Sequence, residues 1–313
     1  MRVLQIAALP VPPTYEPPAS FALERRFEPA DLDAWVRDHG GEVRALVTHS
    51  LRGMPEALWP KLPSLELIAN FGAGLEGIDL RVAARRRVRV TYTPDSMTHD
   101  VADLAFTHLL ALSRRLVAAD AYVRFGTWGK QPFGVGRSTQ GRRLGILGLG
   151  RIGTAIARRA TAFEMNVGYH SRGKSDTPYT WFPTVVDLAQ WADVLIAAVP
   201  GGADTRAMVD ATVLKALGPN GIFINVARGS VVDDAALLQA LRSGSIAGAG
   251  LDVFNDQPID GSRFEGLTNV ILTPHIGSAT SDTRVAMADA VYGNVEALLQ
   301  GRELTDVAED PAR

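Results

Sequence analysis

An arginine and a histidine each follow a short apolar run in the last third of the chain. Arg228 comes after Ile222–Val226, and His275 comes after Val270–Thr273. A guanidinium group can bind a carboxylate through two parallel hydrogen bonds, and an imidazole can give or take a proton near neutral pH. Either residue alone is more often structural. Together at the carboxyl ends of strands, beside a dinucleotide site, they predict a clamp for an acidic substrate with an acid/base group.

A glycine-rich segment predicts that dinucleotide site. Gly148–Gly153 has the spacing G-x-G-x-x-G, follows the apolar run Leu144–Leu147 and opens the helical stretch Ile152–Phe163. In this context the three glycines allow, in order, a tight turn, a close approach of the backbone to a pyrophosphate, and close packing of the helix. The helix N-terminus then faces the phosphates. The weaker alternative is a glycine-rich turn that binds no ligand. The predicted residues are Gly148, Gly150, Arg151, Ile152 and Gly153.

The end of the next strand selects between the two nicotinamide cofactors. An NAD site has an acidic residue there, about 20 residues after the glycines, for the ribose 2′-hydroxyl. In this chain the stretch Tyr169–Lys174 contains no carboxylate. A hydroxyl and two cations suit a 2′-phosphate, which an acid would repel. Ser171, Arg172 and Lys174 therefore predict NADPH in preference to NADH, the alternative being an exposed basic turn that contacts nothing.

Alternating strand-like and helical segments must position these residues. From Leu144 onward, six apolar runs of strand length are separated mostly by helical segments. This alternation predicts βαβ units and a parallel, doubly wound sheet. The six runs are Leu144–Leu147, Met165–Tyr169, Val194–Val199, Ile222–Val226, Gly250–Val253 and Val270–Thr273.

The other segments predict a second, discontinuous domain. Short apolar runs with a helical pattern among them occupy the first third of the chain. A long amphipathic helix is expected from Val101 to Leu116, and a last helix over Ser281–Leu299 can return the chain to the first domain. We expect a substrate domain of residues 1–97 plus 285–313, with a dinucleotide-binding domain of residues 98–284 inserted in it.

Composition excludes several other kinds of function. The 313 residues carry 32 Lys and Arg against 34 Asp and Glu, a net charge of −2 that argues against a nucleic-acid partner. The absence of cysteine excludes disulfides, thiolate catalysis and Cys-ligated metals, and no other spacing implies a metal. No run of about 18 apolar residues indicates a membrane span, and no secretory signal is recognisable. A cytoplasmic protein whose chemistry depends on a bound cofactor is expected.

Taken together, the motifs resemble those of the D-specific 2-hydroxyacid dehydrogenases, and within them the NADPH-dependent hydroxypyruvate, glyoxylate and hydroxyphenylpyruvate reductases. The resemblance implies two doubly wound parallel-sheet α/β domains, a Rossmann domain inserted in a flavodoxin-like substrate domain. It also implies reduction of a small 2-oxo acid to the D-2-hydroxy acid. The segments that carry it are Gly72–Asp79, Asp100–Ala105, Gly148–Gly153 with Ser171 and Arg172, Asn225–Gly229, Gly250–Phe254 and Thr273–His275.

The same resemblance implies roles for residues at the substrate. Arg228 would bind the substrate carboxylate and polarise the carbonyl, and His275 would be the general acid in reduction. The backbone amides of Ala73 and Gly74 would receive the carboxylate from the other domain. Arg52, after the run Ala45–Thr48, is a candidate for the distal end of the substrate, an exposed position without contact being the equal alternative.

Cofactor and subunit contacts are implied in the same way. Asp252 would bond the nicotinamide carboxamide, and Thr98 would lie near the nicotinamide ribose. Trp128 resembles an aromatic residue that reaches a partner subunit's site, which implies a homodimer. Further expected cofactor contacts are Pro200, Thr205, Val226 and Gly277.

One position departs from the family pattern. The segment after Phe254 normally ends in Glu-Pro, and that glutamate pairs with the histidine, but here it ends in Gln257-Pro258. Gln257 is expected to orient the ring of His275 as a hydrogen-bond acceptor that supplies no charge. His275 should then titrate lower than in relatives, so reduction should favour acid. Neighbouring Asp256 is an alternative source of the missing charge.

Two other functions stay open at this point. Formate dehydrogenases, which are related to the family, also have glutamine at the position of Gln257, because formate oxidation needs no such proton transfer. Other members of the family act as transcriptional corepressors, so a catalytically weak, nucleotide-sensing binding protein is the second alternative. The presence of both Arg228 and His275 favours the reductase.

Overall fold

The chain passes from one structural unit into a second and back again in the computed structural model, which describes residues 2–309. The first unit combines the stretch up to Met97 with the stretch from Ala279 onward, and the second is Thr98–Ser278. A parallel sheet lies at the centre of each unit. No helix in the described part of the chain is both long and apolar enough to span a lipid bilayer.

Strands and helices alternate through both units. The strands are β1 (Arg2–Gln5), β2 (Ala22–Arg25), β3 (Val43–His49), β4 (Leu67–Phe71), β5 (Arg89–Thr91), β6 (Arg143–Leu147), β7 (Asn166–His170), β8 (Thr180–Trp181), β9 (Val194–Ala197), β10 (Ile222–Asn225), β11 (Gly248–Leu251) and β12 (Val270–Leu272). The helices are α1 (Pro29–His39), α2 (Leu80–Arg85), α3 (Thr98–Arg114), α4 (Leu116–Arg124), α5 (Arg151–Ala162), α6 (Val185–Trp191), α7 (Ala211–Leu217), α8 (Asp234–Ser243) and α9 (Ser281–Leu299).

The sheet of the first unit has the strand order β2-β1-β3-β4-β5, all parallel. This is the flavodoxin-like order. Successive residues of a strand point to opposite faces, so each central strand contributes to two cores. Leu46 and Ile68 pack with Trp35 of α1 on one face, while Val47 packs with Val291 of α9 on the other. Burial on both faces explains why these strands are almost continuously apolar.

The sheet of the second unit has the order β12-β11-β10-β9-β6-β7-β8, also parallel throughout. Its first six strands along the chain follow the Rossmann order, and β12 adds a seventh at the edge. Helices α6, α7 and α8 cover one face through residues such as Leu188, Leu214 and Leu241. Helices α3 and α5 pack against each other and against the sheet. The predicted fold class is confirmed.

Three edge strands and one helix end differ from the sequence prediction. Strands β2, β5 and β8 were not predicted, because segments of four, three and two residues are too short to show an alternating pattern. The helix predicted to reach Leu116 ends instead at Arg114. Arg115 has a left-handed backbone (φ +54°), which separates α3 from α4.

Candidate active site

The glycine-rich segment after β6 has the geometry of a phosphate-binding turn. Gly148 has φ +89°, and a β-carbon on Gly153 would overlap the carbonyl oxygen of Gly148. Among the described residues, nothing lies within 4 Å of where a β-carbon of Gly150 would be. Arg151 and Ile152 then begin α5, whose first turn has no acidic residue. The open backbone and the helix dipole therefore fit the pyrophosphate of a dinucleotide.

The turn after β7 presents two cations on a braced backbone. The Tyr169 hydroxyl accepts a hydrogen bond from the Ser175 backbone N–H at 2.8 Å, and the Ser171 hydroxyl donates to a carbonyl of the turn at 2.6 Å. Arg172 and Lys174 are exposed on this turn. No acidic residue occurs between β7 and Ser175. The charge of this turn therefore matches a phosphate group and not a ribose hydroxyl.

Arg228 lies at the carboxyl edge of the second sheet, beside the loop that carries Gln257. Strands β10 and β11 are parallel neighbours. A β-carbon on Gly229 would overlap the backbone of Phe254, so glycine is required where the loops after the two strands touch. The side-chain amide of Asn225 donates to the Arg228 carbonyl oxygen at 2.9 Å. This contact, which sequence reasoning did not assign, fixes the backbone from which the guanidinium extends.

Gln257 contacts His275, but with the opposite polarity to the one expected from sequence. Its Oε1 accepts a hydrogen bond from the backbone N–H of Phe254 at 3.0 Å, and its Nε2 lies 3.0 Å from Nδ1 of His275. Because the first contact fixes the amide, an N–H group faces the ring, so the expectation that Gln257 acts as an acceptor is wrong. Nδ1 must accept, which leaves the proton of the neutral ring on Nε2.

The Asp256 carboxylate is directed to an arginine and not to the histidine. Its Oδ2 lies 3.3 Å from Nη1 of Arg263, which also lies 3.2 Å from Oδ2 of Asp234. Asp256 therefore does not replace the missing glutamate. Asp256 lies in a turn and Gln257 in the bend that follows it, and in this local conformation Gln257 reaches the ring whereas its neighbour does not.

A buried carboxylate holds the turn that carries His275. Oδ1 of Asp252 accepts hydrogen bonds from the Thr273 hydroxyl at 2.6 Å and the Ile276 N–H at 2.8 Å, and Oδ2 accepts from the Gly277 N–H at 2.9 Å. His275 itself has φ +56°, a left-handed conformation that is unusual for a residue other than glycine. The three contacts to Asp252 stabilise this conformation. The predicted bond from Asp252 to the carboxamide stays a prediction.

His108 extends this network and had no role assigned from sequence. Its Nε2 lies 3.1 Å from the Thr273 hydroxyl oxygen, which itself donates to Asp252. The ring packs directly against Gly250, where a β-carbon would overlap it. Burial lowers the pKa of His108, so the ring is neutral and donates from Nε2. Only its position on the sheet-facing side of α3 could have pointed to this contact.

The other cofactor candidates are distributed along the same unit. The Thr205 hydroxyl donates to the Pro200 carbonyl oxygen at 2.7 Å in the loop after β9, and Val226 is buried directly after β10. Thr98 is the first residue of α3. Trp128 lies outside the helices and strands and is 75% exposed.

The three substrate candidates from the first unit follow β3 and β4. The side-chain amide nitrogen of Asn70 lies 3.2 Å from the Gly72 carbonyl oxygen and 3.0 Å from that of Gly74, so it shapes the loop that contains Ala73. Arg52 is half-buried in the turn after β3. The structure thus brings Arg228, Gln257, His275 and Asp252 together in one unit and places Ala73, Gly74 and Arg52 in the other.

Comparisons with known proteins agree with this geometry. Residues 106–277 match the family model described as D-isomer specific 2-hydroxyacid dehydrogenase, NAD binding domain. The chain is 45% identical over 285 residues to glyoxylate/hydroxypyruvate reductase A of Arabidopsis thaliana, covering 91% of each protein. It is 43% identical to hydroxyphenylpyruvate reductase of Plectranthus scutellarioides, with 90% of this chain and 92% of that protein covered.

A solved structure is similar over almost the entire chain. It is the NADPH-dependent glyoxylate/hydroxypyruvate reductase of Sinorhizobium meliloti in complex with NADP and malonate. The TM-score is 0.89 at 40% identity, with 99% of this chain and 97% of that chain covered. The motifs, the two parallel sheets and these similarities lead to one conclusion, that the chain belongs to the D-isomer specific 2-hydroxyacid dehydrogenase family.

Proposed function

We propose that this protein reduces small 2-oxo acids, of the glyoxylate, hydroxypyruvate or arylpyruvate class, to D-2-hydroxy acids with NADPH. The observation that carries the proposal is the joint placement of Arg228 and the Gln257–His275 pair at the carboxyl edge of a sheet that also bears an open glycine turn. The relatives named above are reductases of the same substrates. A small-molecule partner follows from this chemistry.

Arg228 and His275 have complementary roles in this proposal. NADPH, when bound, would supply the hydride. The guanidinium of Arg228 binds the substrate carboxylate and polarises the neighbouring carbonyl. His275 donates a proton from Nε2 to the oxygen of the forming alcohol. For the ring to be neutral after it has donated this proton, both of its nitrogens must be protonated beforehand. The Gln257 N–H group that faces Nδ1 disfavours a proton on that nitrogen. Reduction is therefore expected to be faster in mild acid.

The cofactor would be held by the glycine turn and the cations after β7. Gly148, Gly150 and Gly153 accommodate the pyrophosphate, with Arg151 and Ile152 at the start of α5. Ser171, Arg172 and Lys174 would bind the 2′-phosphate. The remaining contacts proposed for the cofactor are those of Thr98, Pro200, Thr205, Val226, Asp252 and Gly277.

Turnover of NADPH, followed by its absorbance, tests the function. The purified protein is assayed with glyoxylate, hydroxypyruvate and 4-hydroxyphenylpyruvate, with NADH in parallel, and the product is resolved on a chiral column. Oxidation of NADPH with formation of the D-isomer is expected. Absence of turnover with every 2-oxo acid would contradict the proposal in favour of a nucleotide-binding protein, and reduction of NADP by formate would contradict it in favour of a formate dehydrogenase.

We also propose a homodimer. Helix α4 buries none of its own residues, and an exposed apolar surface extends from it into the following segment. Patches of this kind mark protein–protein interfaces. Sedimentation of the wild-type protein and a Trp128→Ala variant tests the assembly, and the cytoplasmic location expected from sequence stays a prediction. The exposed residues are Leu116, Val117, Val123, Phe125, Trp128 and Val135.

A further inference from the structure

The turn after β7 is tied to the second sheet at both of its ends. This cation turn, residues 171–174, follows β7 directly and carries the two cations proposed for the 2′-phosphate. At its start, the indole N–H of Trp181 on β8 donates to the Ser171 carbonyl oxygen at 3.4 Å. Immediately after its end, the Tyr169 hydroxyl contacts the backbone of Ser175. An aromatic side chain of the sheet therefore holds each end of the segment that carries the charges.

The hydroxyl of Tyr169 makes two hydrogen bonds with a single residue. It accepts from the Ser175 backbone N–H at 2.8 Å and donates to the Ser175 carbonyl oxygen at 3.2 Å. A phenolic hydroxyl can donate one proton and accept another, so it serves here as a neighbouring strand would, by satisfying both backbone groups of one residue. Tyr169 is 0% exposed within β7, whereas Ser175 is exposed. The contact therefore joins the rigid sheet to exposed backbone.

The cation turn lies in a loop without regular structure. Residues 171–179 form neither helix nor strand, and β8, which follows, has only two residues. A loop that a ligand must order loses conformational entropy on binding, and this loss weakens the affinity. Hydrogen bonds that already hold the backbone in the free protein remove part of that cost. The contacts of Tyr169 and Trp181 are of this kind, because both are formed within the chain itself.

The charges on the cation turn are available to a ligand. Arg172 and Lys174 are exposed and form no ion pair within the described part of the chain, although Asp176 is only two positions from Lys174. Two cations act together on one phosphate only if both reach it at the same time. Since neither charge is neutralised by the protein, the affinity for a phosphate depends on where the backbone places the two side chains.

We propose that Tyr169, with Trp181 as a second tie, positions the cation turn for the 2′-phosphate, so that the preference for NADPH over NADH depends on a buried hydroxyl as well as on exposed charges. The inference rests on the proposed function, because it takes NADPH to be the cofactor. NADH would occupy the same glycine turn and lacks only the 2′-phosphate. A tyrosine that only supported the packing of the sheet would therefore affect both cofactors equally, whereas a positioning residue affects NADPH alone.

Tyr169→Phe tests the inference, because it removes one oxygen atom and keeps the buried ring. Dissociation constants for NADPH and NADH are measured by fluorescence titration without a substrate. The dissociation constant of NADPH should rise by about three- to tenfold, the range of one or two neutral hydrogen bonds, while that of NADH stays at the wild-type value. The matched control is Tyr179→Phe. It removes the same group from the same loop, where the hydroxyl has no hydrogen bond with a described residue, and should keep the wild-type ratio.

Amide hydrogen exchange in the free protein provides a second measurement. The Ser175 N–H should exchange faster in Tyr169→Phe than in the wild-type protein, and at the wild-type rate in Tyr179→Phe. An unchanged ratio of the two dissociation constants in Tyr169→Phe would overturn the inference. So would an equal loss of affinity for NADPH and NADH, because that pattern assigns the hydroxyl to packing. If Tyr169→Phe fails to fold, Trp181→Phe, which removes the N–H that holds Ser171, is compared in the same way.

Failure of the inference and failure of the proposed function give different results. Tighter binding of NADPH than of NADH by the wild-type protein, kept in full by Tyr169→Phe, would overturn the inference alone. Equal wild-type affinities would overturn the proposed cofactor and the inference with it. Adenosine 2′,5′-bisphosphate and adenosine 5′-monophosphate, which differ only in the 2′-phosphate, repeat the comparison without the nicotinamide. Tyr169→Phe should weaken binding of the bisphosphate alone, and equal weakening of both would contradict the assignment.

Discussion

The carboxyl edges of the two sheets differ in how their polar side chains are satisfied. At the second sheet the Asp252 carboxylate accepts three hydrogen bonds, and both ends of the Gln257 amide are engaged. At the first sheet Nε of Arg52 and Oδ1 of Asn70 are buried without partners in the described chain. The Asp252 carboxylate and the Gln257 amide are thus satisfied within the chain, whereas these two atoms of the first sheet are not.

This difference matches two kinds of task. Proton transfer depends on a donor that is held in place before the substrate arrives, which hydrogen bonds from neighbouring residues achieve. Recognition of an anion needs charge that the protein has not already neutralised, because a paired guanidinium would have to exchange partners. The second sheet, which also carries Arg228, therefore has the properties of a catalytic edge. The first, where Arg52 and Arg284 form no ion pair among the described residues, has those of a binding edge.

The largest effect is expected from breaking the satisfied edge. Asp252→Ala leaves the donors of Thr273, Ile276 and Gly277 without their acceptor, so the free energy of unfolding should fall by about 2–5 kcal/mol. Reduction should slow by about 100-fold or more, because His275 loses its support. Urea unfolding and steady-state kinetics measure the two effects.

A neighbouring carboxylate provides the control for that experiment. Asp256→Ala removes an exposed charge that pairs only with Arg263 among the described residues, and should cost less than about 1 kcal/mol. Equal losses for Asp252→Ala and Asp256→Ala would show that the contacts of Asp252 do not hold the site.

The second prediction changes the charge at the catalytic edge without changing its shape. Gln257→Glu places a carboxylate beside Nδ1 of His275, which favours the doubly protonated ring that the amide disfavours. The pH above which the rate of reduction falls should therefore move upward by about one unit. A pH profile of kcat measures it, with Gln257→Met as an uncharged control. An unchanged profile would show that residue 257 only positions the ring.

The sequence predicted the placement of the catalytic edge but not its hydrogen bonds. Arg228, Gln257 and His275 follow predicted strands, and parallel strands bring their carboxyl ends to one edge, so their proximity could be inferred. The polarity of the Gln257 amide could not, because it depends on the backbone N–H of Phe254. His108 was likewise hidden, since a histidine on the buried face of a helix has no spacing that indicates a partner.

The binding edge was less predictable still. Arg52 could be identified because it directly follows a predicted strand. Arg284 lies in a helix more than 200 residues away in sequence, and only packing of α9 on the first sheet brings it to Phe71. No periodic pattern indicates which residue of a helix meets a strand end, so the contact between Arg284 and Phe71 needed the structure.

A third prediction concerns the exposed cations of the turn after β7. Arg172→Gln removes an exposed charge from the turn after β7 and should reduce the preference for NADPH over NADH by about tenfold. Because exposed charges are screened, added salt should weaken the binding of NADPH, which carries the 2′-phosphate, more than the binding of NADH. Dissociation constants for both cofactors at two salt concentrations test this. If Arg172→Gln leaves the ratio of the NADPH and NADH dissociation constants unchanged, other residues must determine the preference.

The smallest predicted effect concerns the pKa of one histidine at each edge. The pKa of both His49 and His108 is lowered by burial, but only His49 is also affected by arginine charges, those of Arg52 and Arg284. As the pH falls, each of these histidines takes up a proton near pH 6.5 in the unfolded chain, but only at a lower pH in the folded protein. Each histidine therefore reduces stability as the pH falls below that value, and neither affects it at pH 8.

Replacing Arg284 by glutamine should act on only one of them. The pKa of His49 should rise towards its ordinary value because a neighbouring positive charge is gone, while that of His108, on which no arginine acts, should not change. Titration of the ring resonances by NMR in wild-type protein and Arg284→Gln measures both in one sample, with His108 as the internal control. If the charge of Arg284 is uncompensated, removing it must change the titration of the His49 resonance. An unchanged titration would show that the guanidinium is already neutralised.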